Sequence, residues 1–139
     1  MITELDQVIA AAYASEGKKE DVNKVYLALL RSPVFVPVEK VAHDAVLNEE
    51  EPFRPLFAKV EDNYFMVIFD TLERLTAWAD VELGKLDYVE LNGKDVVAGI
   101  GENVFLCVNI GSPYYKEFSP DEVKRLKTVV SRIEQMKNG

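Results

Sequence analysis

The chain is poor in the residues that catalysis most often uses. Its 139 residues include one cysteine, one histidine and one tryptophan. A lone cysteine, Cys107, has no partner for an intramolecular disulfide, which fits a reducing compartment. A lone histidine, His43, excludes His-rich metal sites and two-histidine mechanisms. The longest apolar run, Val8 to Ala14, falls far short of the ~20 residues that span a bilayer. Met1 to Asp6 holds two acids and no base, so the basic start of a signal peptide is missing. A cytoplasmic protein without membrane contact is expected. Acidic residues outnumber basic ones, 24 to 16, and the formal net charge of −8 argues against generic nucleic-acid binding, which needs a cationic face.

What is present describes an ordinary globular domain, 48% apolar and 29% charged. At this length a chain buries roughly 68% of its unfolded surface, enough for a core, and residues 1–139 are read as one domain. Charge is unevenly spread. Residues 119–139 carry a net +2 and the remainder −10. In the terminal segment Asp121 and Glu122 come first and Lys124, Arg125, Lys127, Arg132 and Lys137 follow, the order a helix dipole favours.

Two amphipathic helices open the chain. Leu5, Val8, Ile9, Ala12 and Tyr13 share one face, with Thr3 as N-cap. Ser15-Glu16-Gly17 interrupts, and Val22, Val25, Tyr26, Leu29 and Leu30 repeat the spacing until Ser32-Pro33 stops it. Val34 to Val38 reads as a strand whose Pro37 places it at an edge or bulge. Residues 40–52 are polar and acidic and read as an exposed loop. Arg54 to Val60 and Tyr64 to Phe69 are strands around Glu61-Asp62-Asn63, a hairpin turn. Phe65-Met66-Val67-Ile68-Phe69 is apolar on both faces, as in a strand covered on both sides.

Asp70 or Thr71 caps the next helix, whose inner stripe is Leu72, Leu75, Trp78 and Ala79. Leu86 to Leu91 alternates as a strand, Asn92-Gly93 turns, and a short helix through Val96 and Val97 ends at Gly99 to Gly101. Val104 to Val108 is a second buried strand. Ser119-Pro120-Asp121-Glu122 forms a capping box with proline at the first helical position, opening a helix with the stripe Val123, Leu126, Val129, Val130 and Ile133. The order is α-α-β-β-β-α-β-α-β-α. It implies an α/β (α+β) fold, a mixed sheet containing an antiparallel hairpin, with helices packed on it.

No catalytic constellation emerges. Cys107 lies in VFLCVNI, a buried-strand pattern with nothing electropositive beside it, so a core role is expected. Gly99-Ile100-Gly101 ends a helix and leads into a strand, the reverse of a phosphate-binding turn. Glu49-Glu50-Glu51 lacks the spaced ligands of a calcium loop. Ser112 lacks the glycines of a nucleophile elbow. No motif calls for a cofactor. Two groups of residues are candidates for binding. Asp70, Thr71, Asn109 and Ser112 are polar groups at strand ends, where a mixed sheet offers a crevice. Their bland reading is capping for Asp70 and Thr71 and turn formation for Asn109 and Ser112. Tyr114 and Tyr115 lie in a loop-like segment and cannot both face one core; one is expected to pack inward and the other to lie along the surface.

KVYLALLRSPVFVPVE (24–39), PLFAKVEDNYFMVIFDTLERLTAWA (55–79), VFLCVNIGS (104–112) and FSPDEVKRL (118–126) together resemble the N-terminal domain of the SseB family, bacterial proteins named for an enhanced-serine-sensitivity phenotype. Ile110 stands where the family usually has proline after its turn asparagine. Larger members continue into a second domain, which is not expected here. The resemblance implies an α/β fold and a cytoplasmic bacterial protein, and it brings no catalytic set. The leading expectation is a non-enzymatic protein-binding or regulatory module. One alternative is a small-molecule site near the strand ends. Another is an acidic, immunity-type neutraliser of a basic toxin. A homodimer through an edge strand or the terminal helix is compatible with the pattern, though no seam is visible.

Overall fold

Residues 2–38, 57–79 and 87–138 are described by the computed structural model. Helix α1 (Glu4–Ala14) opens with a full capping box: the Thr3 hydroxyl accepts from the Asp6 N–H, and the Asp6 carboxylate accepts from the Thr3 N–H. It ends where Glu16 and Gly17 take positive φ. Helix α2 (Lys19–Arg31) stops at Ser32, whose hydroxyl donates back to the Ala28 carbonyl at 2.6 Å. Leu5 and Ile9 of α1, with Val25, Tyr26, Leu29 and Leu30 of α2, are buried as their spacing demands. Tyr13 is the exception on its stripe at 59% exposed, its hydroxyl donating to the Tyr115 carbonyl.

Among the described residues, six strands follow the helices: β1 (Pro33–Val38), β2 (Phe57–Val60), β3 (Asn63–Ile68), β4 (Asp87–Asn92), β5 (Val104–Val108) and β6 (Lys116–Phe118). Between them lie α3 (Leu72–Ala79) and α4 (Gly93–Gly99), and α5 (Pro120–Asn138) closes the chain. The hairpin β2–β3 forms as expected, with Glu61-Asp62 alone as its turn because Asn63 already pairs with Val60. β3 and β5 are parallel, flanked by antiparallel β2 and β6 in the order β2-β3-β5-β6. β6 falls in the segment that sequence alone reads as loop, since three residues are too few to show a period.

β1 and β4 pair antiparallel as a separate two-stranded piece. Among the described residues a single bridge joins the two pieces: Phe35 and Phe69 exchange both backbone hydrogen bonds, at 2.7 and 3.0 Å. Because Phe35 turns its N–H and C=O away from β4, so does Pro37 two residues on. The donor that proline lacks is therefore not one the β4 ladder needs.

The strands carry apolar side chains on both faces, and both are covered. Met66, Ile68, Leu106 and Val108 face one core with α1, α2, α4 and α5. Val67, Phe69 and Cys107 face a smaller one under Leu75 and Trp78 of α3. α4 fits closely against α2 because residue 93 is glycine: a Cβ there would lie 1.8 Å from the Leu29 carbonyl oxygen. The loop read at 40–52, with His43 and Glu49 to Glu51, lies outside the described residues, as do Phe53, Arg54 and Leu86.

Candidate functional site

β3 and β5 run parallel and finish side by side, so the chain leaves the sheet twice at the same place. Asn109 joins the two exits. Its N–H donates to the Ile68 carbonyl at 2.9 Å, and its side-chain Oδ1 accepts from the Asp70 N–H at 3.0 Å. The backbone there is left-handed, φ 59°, a conformation that asparagine tolerates and branched residues do not. Asn109 is fully buried, and its Nδ2 has no hydrogen-bond partner among the described residues.

Asp70 does not cap α3. Thr71 does, its Oγ1 accepting from the Arg74 N–H at 3.2 Å. Asp70 is thereby free to accept from the Thr3 hydroxyl at 2.5 Å and from Arg74 Nη1 at 2.7 Å. Arg74 also grips Asp6 with two bonds, Nη1 to Oδ1 at 2.8 Å and Nη2 to Oδ2 at 2.6 Å. The N-terminus of α1 is thus clamped to the start of α3 over the strand ends.

Asp6 has no exposed surface, so its charge depends on these partners. Burial by itself pushes its carboxyl up. The Arg74 hydrogen bonds, the Thr3 N–H and the guanidinium charge outweigh that and hold it below the usual carboxylate range. Arg74 in turn is held above its usual value, chiefly by the bonds to Asp6. Neither Asp6 nor Arg74 stands out in the sequence. Asp6 is visible there only as the third residue of a first turn, and Arg74 only as a base four residues after Asp70.

Ser112 completes the turn, its N–H donating to the Asn109 carbonyl at 3.0 Å and its Oγ accepting from the Tyr114 N–H at 3.1 Å. Asp70, Thr71, Asn109 and Ser112 are thus brought to one end of the sheet. Their contacts are those of caps, staples and turns. Beside them a groove of about 260 Å³ lies between α3 and the turn, lined by Arg74, Ala77, Trp78, Ile110, Gly111, Ser112 and Pro113. The Trp78 ring forms one wall and rests on Phe69, ring centres 5.5 Å apart.

Neither tyrosine lines this groove. Tyr114 packs against the larger core and Tyr115 against the smaller, so adjacent residues serve opposite faces of the sheet. The Tyr115 hydroxyl donates to Glu117 Oε1 at 3.0 Å and lies 3.7 Å from Cys107 Sγ. Burial pushes the Cys107 thiol up, so it is not an activated nucleophile. Among the described residues, no group of three or more His, Cys, Asp or Glu is placed to hold a metal ion, and no helix is long and apolar enough to cross a membrane.

A family model, the SseB protein N-terminal domain, matches residues 5–125. No curated protein and no solved structure matches the chain.

Proposed function

The chain belongs to the SseB family, and from that premise we propose that it is a non-enzymatic protein-binding module whose contact surface is the groove between α3 and the 109–113 turn. One observation carries this reading. An accessible groove with an indole wall, aliphatic walls and a guanidinium lies against a network of partly buried hydrogen bonds that braces it. The ionisable groups nearby are committed to one another: Asp6 and Asp70 are bound to Arg74, and the Cys107 thiol is buried. A concavity with no poised acid, base or nucleophile among the described residues suits recognition better than turnover.

The same groove favours a small-molecule ligand as the second reading, since its size suits a residue or two as well as a compact metabolite. Native mass spectrometry of protein captured gently from its own source separates the two. A stoichiometric protein partner that wild type retains and Ala77→Phe loses supports the module reading. Ala77 is exposed and lines the groove, so phenylalanine fills the site without touching the core. A retained small mass that is lost in the same variant selects the second reading. Partner capture unaffected by Ala77→Phe removes the groove from either.

A further inference from the structure

The groove's hydrogen-bonding character narrows what it can hold, on the reading that it is a protein-binding site. Arginine has five N–H donors, and three of those on Arg74 are committed. Nη1 serves Asp6 and Asp70, and Nη2 gives one hydrogen to Asp6. The second Nη2 hydrogen and the Nε–H have no partner among the described residues, and they form the side fork of the guanidinium. Arg74 lines the groove and its side chain keeps 20% of its surface exposed. Ser112 adds another donor, because its Oγ accepts from the Tyr114 N–H and its own hydrogen has no acceptor among the described residues. The free side-chain groups of the groove are thus donors, which a partner's acceptors would meet.

An anion is the usual guest of such a fork, but the local charge opposes one here. Arg74 is a single cation facing two carboxylates, Asp6 and Asp70, so the cluster is already net negative. A third carboxylate would meet both acids at short range, in a protein of net charge −8. A cation would meet Arg74 itself. What remains is an uncharged acceptor, and the indole of Trp78 with Ile110 and Pro113 supplies an apolar wall next to it.

We propose that the groove takes an uncharged, extended peptide segment of a partner protein, which seats a backbone carbonyl on the free fork of Arg74 and an apolar side chain against Trp78. The chain's only tryptophan is a wall of the site, so its fluorescence reports occupancy directly. The probe is a pool of terminally capped hexapeptides built from Gly, Ser, Asn, Leu, Val and Phe. Matched pools carry one Glu or one Lys in each peptide. Saturable change in Trp78 emission with the neutral pool is expected, with binding of the acidic pool weaker by roughly tenfold. Ala77→Phe should abolish the change while leaving the urea midpoint of wild type. Equal or tighter binding of either charged pool would overturn the proposal, as would an unchanged response in Ala77→Phe or no saturable response to any pool. If native mass spectrometry nonetheless shows a protein partner lost in Ala77→Phe, the peptide chemistry proposed here fails while the module reading stands.

Discussion

Asp6 is the residue on which most depends, because it is a charge without access to water. Removing its counter-ion should be costly: Arg74→Met leaves Asp6 buried and unpaired and is expected to lower stability by about 3–5 kcal/mol in urea unfolding. The pH dependence has a definite sign. A carboxyl whose folded value lies below its unfolded one stabilises the fold above the unfolded value, near pH 4, and that contribution is lost as pH falls further. Wild type should therefore weaken below about pH 4, and Asp6→Asn should flatten that acid limb. Comparing urea midpoints at two acid pH values checks this. Cys107 offers a simpler test: its buried thiol should react with a disulfide reagent only as fast as the protein unfolds, and full reactivity in the native state would contradict its placement. Residue by residue, the caps at Thr3 and Ser119 are legible in the sequence because the capping box is local. The Asp6–Arg74 pair is not, since 68 residues separate its members and nothing local marks either for burial.

At the scale of elements, two backbone positions make opposite predictions. Glu61 holds φ 56° in the two-residue hairpin turn, where a side chain is disfavoured. Glu61→Gly should relieve this and stabilise the protein by up to about 1 kcal/mol, read as a higher urea midpoint. Gly93 begins α4 where the backbone of α2 comes close. Gly93→Ala must push the two helices apart and should cost at least about 3 kcal/mol by the same measurement. Elements with a long period are the legible ones. The stripes of α1, α2 and α5 repeat over several turns, and the double-sided apolar run of β3 fits only a strand covered twice. β6 has three residues and is defined by pairing to β5, which no local pattern encodes. The tyrosine pair shows the same limit. Alternation places Tyr114 and Tyr115 on opposite sides, but only the three-dimensional structure reveals a packed core on each.

For the whole molecule, the mixed α/β class follows from the order of elements, whereas the division of the strands does not. β1 pairs with β4 across about 50 intervening residues, and among the described residues this pair meets the main sheet through one bridge, Phe35–Phe69. Such long-range choices rest on packing rather than propensity. The candidate site is legible to the same degree. Asp70, Thr71, Asn109 and Ser112 are recognisable as strand-end residues, while the groove depends on how α3 lies over the sheet and is invisible in one dimension. The net charge of −8 belongs to this scale as well. Self-repulsion is screened by ions, so raising salt from low to physiological strength should raise the melting temperature.

The bond from the Asp70 N–H to Asn109 Oδ1 bears on how the protein comes apart. Two neighbouring strands ordinarily fray from their ends one residue at a time, each amide exchanging with solvent on its own schedule. Here an amide just beyond each exit is tied to the other strand's segment, Asp70 to Asn109 and Asn109 to Ile68. Neither exit can open while the other stays closed. The two amides should therefore share one protection factor, set by a single cooperative opening of the strand ends, and Asn109→Ala should release the Asp70 amide to exchange early.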